Sequence, residues 1–68
     1  MTLKVLLNGL PAIVDVGATV GGIVDGMGKG RRGVAVAVND EVVPRSRWDK
    51  TALRDHDRVE ILTASQGG

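Results

Sequence analysis

Residues 2–16 read Thr-Leu-Lys-Val-Leu-Leu-Asn-Gly-Leu-Pro-Ala-Ile-Val-Asp-Val, and this stretch decides the fold. Leu3, Val5 and Leu7 recur at every second position, which is the side-chain period of a β-strand. Asn8-Gly9 accepts the positive φ angles that a two-residue hairpin turn requires. Residues 12–16 then supply a second apolar arm. The sequence therefore opens with a predicted β-hairpin.

A short amphipathic helix is predicted after the hairpin. Gly17 ends the second arm, Thr19 is a suitable N-cap, and four apolar residues follow at helical spacing on one face, namely Val20, Ile23, Val24 and Met27. Three helix positions are glycine, each costing about 0.8–1.0 kcal/mol relative to alanine. Because its intrinsic propensity is weak, this helix must be held by packing on a sheet.

The second half of the chain predicts three more strands. Residues 34–38 are apolar at every position, which favours a central strand covered on both faces or nearly so. Val42-Val43 forms a short strand that Pro44 ends, because proline cannot donate to a ladder. The last strand is predicted over residues 58–64. The order β-β-α-β-β-β predicts an α+β fold in which a mixed sheet, with at least one parallel pair, packs on one helix.

Composition restricts the classes of function. The 68 residues make one small domain without room for a deep catalytic cleft. The absence of cysteine removes disulfides, thiolate nucleophiles and zinc knuckles, and favours a cytoplasmic protein. Trp48 is the only aromatic residue among 43% apolar residues, so we expect it to close the aliphatic core.

The charge pattern argues against nucleic-acid and membrane partners. The formal net charge is +1 and the basic residues are scattered along the chain, which does not form an electrostatic nucleic-acid footprint. No apolar run is long enough to span a bilayer, and Lys4 interrupts the segment where a signal-peptide core would lie.

No catalytic residue, bound cofactor or metal site is predicted. Residues 28–33 spell G-x-G-x-x-G, but they follow a helix and precede a strand, the reverse of the dinucleotide-binding context. We interpret them as a flexible, solvated connection whose three basic residues are available to an acidic partner. His56, between Asp55 and Asp57, is interpreted as a solvated turn residue, and the carboxylates form no evident acid/base pair.

The glycine pair at the end of the sequence predicts a reactive terminus. Two residues without Cβ atoms allow Gly67 and Gly68 to enter a slot too narrow for side chains, with the α-carboxylate at the tip. We therefore expect a domain over residues 1–64 followed by a flexible tail over residues 65–68.

The chain resembles the ThiS family, the sulfur carrier proteins of thiamine biosynthesis, over essentially its whole length. The resemblance rests on Val-Val-Pro-Arg-x-x-Trp at residues 42–48 after an Asn-x-x turn, on Asp-x-Asp before a Val-x-Ile strand at residues 55–61, and on Gly67-Gly68. The first motif is typical of the family, and the others are shared with ubiquitin-like β-grasp carriers. The glycines of the helix depart from the leucine-rich helices that are usual in the family.

The resemblance implies a ubiquitin-like β-grasp fold and a noncatalytic carrier. An adenylating partner enzyme that uses ATP would activate the carboxylate of Gly68, and sulfur from a sulfurtransferase or cysteine desulfurase would convert it to a thiocarboxylate. A thiazole synthase would then take the sulfur for the thiazole ring. In that scheme Ser65, Gln66 and Gly67 form the arm that enters the partner, and Leu62 and Ala64 are expected partner contacts.

Other interpretations remain open at this point. A small subunit of molybdopterin synthase, another β-grasp sulfur carrier or a protein modifier would share the fold and the Gly-Gly terminus. A noncatalytic β-grasp binding module would instead need a basic or polar recognition face and no free Gly-Gly end. The motif at residues 42–48 and the short length favour the thiamine carrier over the molybdopterin subunit, and the near-neutral charge disfavours the binding module.

Overall fold

The computed structural model describes residues 1–64 and confirms the predicted order of elements. The strands are β1 (Thr2–Leu7), β2 (Leu10–Asp15), β3 (Val34–Val38), β4 (Glu41–Val43) and β5 (Arg58–Thr63). The helix α1 (Val20–Gly26) connects β2 to β3, and a 3₁₀ helix (Arg45–Lys50) follows β4. No helix within these 64 residues has the length and apolar character needed to cross a membrane.

The five strands form one mixed sheet in the order β2-β1-β5-β3-β4. β1 and β5 are parallel, and the other three neighbouring pairs are antiparallel. The predicted parallel pair is therefore present, and it places the last strand in the middle of the sheet.

The hairpin turns form as the sequence predicts. Asn8 and Gly9 have φ angles of 50° and 82°, and they join β1 to β2 with Leu7 opposite Leu10. Asn39 and Asp40, with φ angles of 52° and 72°, join β3 to β4 in the same way. Successive positive φ angles twist a two-residue turn in the sense that the flanking strands require.

The helix is capped and packed as expected. Thr19 Oγ1 accepts a hydrogen bond from the Gly22 N–H at 3.1 Å. Val20 and Val24 are fully buried, whereas Met27 lies just beyond the helix and is exposed. These valines join a core built on one face of the sheet, whose other buried members are Val36, Trp48, Leu53, Val59 and Ile61.

The prediction for residues 34–38 was right about the position of the strand and wrong about its coverage. β3 has a strand on each side and is therefore not an edge strand, although β5 is the middle one. Val36 is buried while Ala35 is exposed, so only one face of β3 is covered. Exposing an alanine side chain costs little hydrophobic free energy because its apolar area is small. The uninterrupted apolar run of β3 therefore predicted more burial than the strand has.

Candidate functional site

The predicted site divides between the end of β5 and the tail. Leu62 and Ala64 lie within the described part of the chain. The predictions for Ser65, Gln66, Gly67 and Gly68 lie outside the described residues. The structure therefore gives the geometry of the site at the end of β5, where the tail begins.

Hydrogen bonds hold β5 on both sides almost to its end. On one side, Ile61 lies opposite Val36 in the β3 ladder, and the Ala64 N–H donates to Gly33 O at 2.7 Å. On the other side, the side chain of Asn8 accepts from the Ile61 N–H at 2.7 Å and donates to Ile61 O at 3.2 Å. The strand ends at Thr63, one residue earlier than predicted, and the bond at Ala64 extends the pairing by one step.

Leu62 lies on the sheet face that the helix does not cover, a question that the sequence left open. Ile61 points into the core with 5% of its surface exposed, and the adjacent Leu62 is 70% exposed. Successive residues of a strand point to opposite faces, so burial of one places the other outside.

Apolar neighbours surround Leu62 on that open face. Val42, on β4, is 76% exposed. Together with residues of β3 and β5 it lines a shallow cavity of about 150 Å³, whose lining residues are Ala35, Val36, Ala37, Val42, Glu60 and Leu62. We call Ala35, Ala37, Val42 and Leu62 the β5 patch. An exposed cluster of this kind next to the start of the tail has the character of a contact surface for another protein.

The sequence did not predict the cluster that Arg31 forms with Asp25 and Asp49. The Arg31 guanidinium donates to Asp25 through Nε and Nη2, both at 2.9 Å, and to Asp49 Oδ1 at 2.6 Å. The hydrogen bonds from Arg31 are the largest cause holding the pKa of each aspartate below its ordinary value, and burial opposes them. The same two aspartates raise the pKa of Arg31, chiefly through hydrogen bonds. Arg31 is therefore not available to a partner, contrary to the expectation for the loop.

The Arg31 cluster explains one of the helix glycines. A Cβ atom on Gly21 would collide with Asp49 Oδ1 and would lie 2.7 Å from Arg31 Nη2. Gly21 is buried. Because it has no side chain, there is room beside the helix for the ion pair of Arg31 and Asp49. No local sequence pattern predicts these ion pairs, because Asp25 and Asp49 lie 6 and 18 residues from Arg31.

Trp48 is buried as predicted and also organises its surroundings. It is 1% exposed, and its Nε1–H donates to Val43 O at 2.8 Å. The guanidinium carbons of Arg31 and Arg45 each lie 5.7 Å from the centre of its ring, within the range of cation–π contact. Arg45 also donates to the backbone carbonyl of Arg31 at 3.1 Å, so the 3₁₀ helix is attached to the loop that receives Ala64.

The polar turn before β5 has a structural role. The buried carboxylate of Asp57 accepts from the Arg54 N–H at 2.7 Å and from Asn39 Nδ2 at 2.9 Å. Asp55 accepts from the Lys4 N–H at 2.8 Å. The His56 side chain is 82% exposed, which confirms the interpretation of a solvated turn residue. Across residues 1–64, no three histidine or carboxylate side chains converge in a way that could hold a metal ion.

Comparison with known proteins gives consistent matches over nearly the whole chain. The model of the ThiS family matches residues 5–68. The sulfur carrier protein ThiS of Thermus thermophilus is 38% identical over 64 residues, covering 94% of this chain and 98% of the relative. The crystal structure of the thiamine biosynthesis protein ThiS from Geobacter metallireducens matches with a TM-score of 0.78 at 30% identity, covering 97% of this chain and all of the other.

A longer protein also contains a similar segment. The thiazole synthase of Magnetococcus marinus is 33% identical to this chain over 66 residues, which are 97% of this chain. The chain spans about a fifth of the length of the curated thiazole synthases that it matches.

Proposed function

The chain belongs to the ThiS family of sulfur carrier proteins, and from this membership we propose that Gly68 carries the sulfur atom as a thiocarboxylate destined for the thiazole ring of thiamine. The observation that supports this proposal most directly is that the family match extends through the final Gly67-Gly68 pair. The family consists of carriers rather than enzymes, so the catalytic groups belong to the partners.

The chemistry requires activation of the carboxylate. A carboxylate is a poor electrophile because it is negatively charged and stabilised by resonance. An adenylating partner would join the Gly68 carboxylate to AMP and release pyrophosphate from ATP, giving a mixed anhydride. The terminal sulfur of a persulfide, on a sulfurtransferase or a cysteine desulfurase, would attack the carbonyl carbon and expel AMP. A thiol would then reduce the resulting acyl disulfide and leave the thiocarboxylate on Gly68.

Each part of the chain has a separate task in this scheme. Ser65 and Gln66 would set the reach of the arm, and Gly67 would keep it slender enough for a narrow channel. Leu62 with the rest of the β5 patch would dock against the partner, and Ala64 would contact it where the arm begins. The hydrogen bonds that the end of β5 makes with Asn8 and Gly33 support this role, because they fix the position and direction of the strand where it leaves the sheet.

The partners follow from the same proposal. They are the adenylating enzyme, the sulfur donor and a thiazole synthase that accepts the sulfur. The presence of a similar segment within thiazole synthases supports the last of these, because a carrier domain joined to an enzyme meets its acceptor at high effective concentration. We place the reaction in the cytoplasm, in keeping with a chain that has no cysteine.

Intact-protein mass spectrometry tests the proposal. The chain ending at Gly68 is incubated with ATP, the adenylating enzyme of thiamine biosynthesis from the same organism, and a persulfide donor. We expect a gain in mass equal to the difference between one sulfur and one oxygen atom, in a species that reacts with a thioacid-selective alkylating reagent. The chain has no cysteine, so the unloaded protein offers that reagent no thiolate.

Three tail variants serve as controls. Deletion of Gly68, replacement Gly67→Val and addition of one residue after Gly68 should each prevent loading. They should change the free energy of unfolding by less than about 0.5 kcal/mol, the usual range for surface changes. A folded wild-type protein that gains no sulfur would refute the carrier function and favour a β-grasp binding module. Lysine-linked adducts would indicate a protein modifier instead.

A further inference from the structure

The fold brings four of the basic residues together next to Ala64. Lys29, Arg31 and Arg32 lie in the loop 28–33, and Arg45 begins the 3₁₀ helix Arg45–Lys50. The loop and Arg45 are separated in sequence, so these basic residues are less scattered in space than along the chain. We call the exposed surface of Lys29, Arg32 and Arg45 the tail-root surface.

Contacts show that Arg45 and the loop form one surface next to Ala64. Arg45 Nη2 donates to Arg31 O at 3.1 Å, and Asp49 binds the Arg31 guanidinium. Gly33, two residues further along the loop, accepts the hydrogen bond from Ala64 at 2.7 Å. Ala64, the last described residue, therefore lies beside this basic loop.

Most of the positive charge on the tail-root surface is not neutralised. Asp49 is the only acidic residue in the loop and the 3₁₀ helix, and it is committed to Arg31 together with Asp25. Within the described residues, no ion pair involves Lys29, Arg32 or Arg45. All three are exposed.

The opposite end of β5 has a different charge balance. There the turns at residues 39–40 and 55–57 approach the start of β5, with Asn39 N–H bonded to Arg58 O. Four carboxylates and four cations are mixed at this end, namely Asp40, Glu41, Asp55 and Asp57 with Lys4, Arg47, Arg54 and Arg58. The charge along β5 is therefore asymmetric, and a charge asymmetry of this kind orients a protein as it approaches a charged partner.

We propose that the tail-root surface docks on an acidic surface of the adenylating enzyme, next to the channel that receives residues 65–68, and steers the carrier to arrive tail first. This inference rests on the proposed function and deepens it. A protein partner fits better than a nucleic acid, because the only aromatic residue, Trp48, is buried and cannot stack on bases. The net charge of +1 also gives little general attraction to phosphates.

Charge reversal at matched positions tests the inference. Lys29→Glu/Arg32→Glu changes two exposed cations of the tail-root surface, and Lys4→Glu/Arg54→Glu makes the same change in net charge at the opposite end. Neither pair carries an ion pair among the described residues. Carrier-dependent exchange of pyrophosphate into ATP by the adenylating enzyme gives KM and kcat for each carrier. Urea unfolding confirms that each variant is folded.

At low salt we expect the KM of Lys29→Glu/Arg32→Glu to rise about tenfold with an unchanged kcat, because steering acts on encounter and not on the chemical step. The control pair should change KM less than about twofold. At about 1 M salt, where the Debye length falls to about 3 Å, the difference should largely disappear.

Equal KM values for the two pairs, or a difference that persists at high salt, would overturn the inference while leaving the proposed function intact. Binding of a single-stranded RNA 20-mer that only Lys29→Glu/Arg32→Glu abolishes, with its KM unchanged, would assign the surface to nucleic acid and also overturn it. If the unaltered carrier supports no pyrophosphate exchange, both the proposed function and this inference are refuted.

Discussion

The side chain of Asn8 pairs with the backbone of Ile61 as a neighbouring strand would. Its Oδ1 accepts from the Ile61 N–H at 2.7 Å, and its Nδ2 donates to Ile61 O at 3.2 Å. β1 pairs with β5 only at Arg58 and Val59, so this amide continues the ladder beyond the point where the β1 backbone turns away. One side chain thus supports the strand that leads to the tail.

Asn8→Gly isolates this contact, because glycine accepts the φ angle of 50° but has no side chain. We expect a loss of about 1–2 kcal/mol in the free energy of unfolding, since two partly buried backbone groups lose their partner. Urea unfolding measures the loss, and hydrogen exchange at the Ile61 amide should accelerate. The matched control is Asp40→Gly, at a φ angle of 72° in the other hairpin turn, where only an exposed ion pair with Arg58 is lost. An equal loss in both variants would contradict the role of Asn8.

Two glycines of α1 should respond differently to replacement by alanine. Gly26 has open space at its Cβ position, so Gly26→Ala should stabilise the protein by about 0.5–1 kcal/mol through helix propensity. Gly21→Ala should stabilise less or destabilise, because the new methyl group displaces the ion pair of Arg31 and Asp49. In an Asp49→Ala background, Gly21→Ala should recover part of the gain. Thermal unfolding of the wild type and the four variants decides the matter, and equal gains at both positions in the wild type would refute the steric role of Arg31 and Asp49.

The Arg31 cluster should make stability sensitive to acid. Hydrogen bonds from Arg31 hold the pKa values of Asp25 and Asp49 below their ordinary value of 3.8. A carboxylate with a lowered pKa in the folded state stabilises the fold above its unfolded pKa, and this contribution is lost as pH falls through the folded value. The stability difference between wild type and Asp25→Asn/Asp49→Asn should therefore be present at pH 7 and shrink below pH 3.8. Urea unfolding across this range measures it.

A control for the acid prediction removes a carboxylate outside the cluster. Asp15→Asn should leave the free energy of unfolding at pH 7 within about 0.5 kcal/mol of wild type, as is usual for surface changes. A difference between wild type and the double variant that stays constant from pH 7 to pH 2 would show that Arg31 does not stabilise these carboxylates.

Trp48 should dominate the stability of the domain. Trp48→Ala empties a site that is 1% exposed, and we expect a cost of about 3–5 kcal/mol, enough to unfold most of a domain this small. Trp48→Phe keeps much of the apolar volume but loses the hydrogen bond to Val43 O, so its cost should be smaller. Circular dichroism follows both variants. A native wild-type fluorescence maximum equal to that of free indole in water would contradict the burial.

Leu62 and Leu10 provide a matched test of docking, because each is 70% exposed. Leu62→Ser removes the centre of the β5 patch, and we expect the KM for carrier-dependent pyrophosphate exchange to rise about tenfold, as for a contact residue. Leu10→Ser, at the hairpin between β1 and β2, should leave KM unchanged. Both variants should remain folded in urea titrations. A KM that changes equally for both would remove the β5 patch as the docking surface.

Local sequence patterns were sufficient for much of the fold. The alternation in residues 2–7, the positive φ angles of Asn8-Gly9 and the Thr19 cap depend on near neighbours, and the structure has them as predicted. Burial of Trp48 was predictable because the chain has no other aromatic residue to close its core. The face of Leu62 was not predictable from its strand alone, since either face of a strand can be the covered one.

The sequence by itself determined the strand and helix segments, the resemblance to ThiS carriers and the identity of the proposed reactive residue, because these depend on residue type and short spacing. Only the tertiary structure decided that β5 is the middle strand and that Asn8 supports Ile61. It also decided that Arg31 is held by Asp25 and Asp49, and that Arg45 and Ala64 both bond the basic loop 28–33. These relationships join residues far apart in the chain, and no local periodicity records which distant segments the sheet brings together.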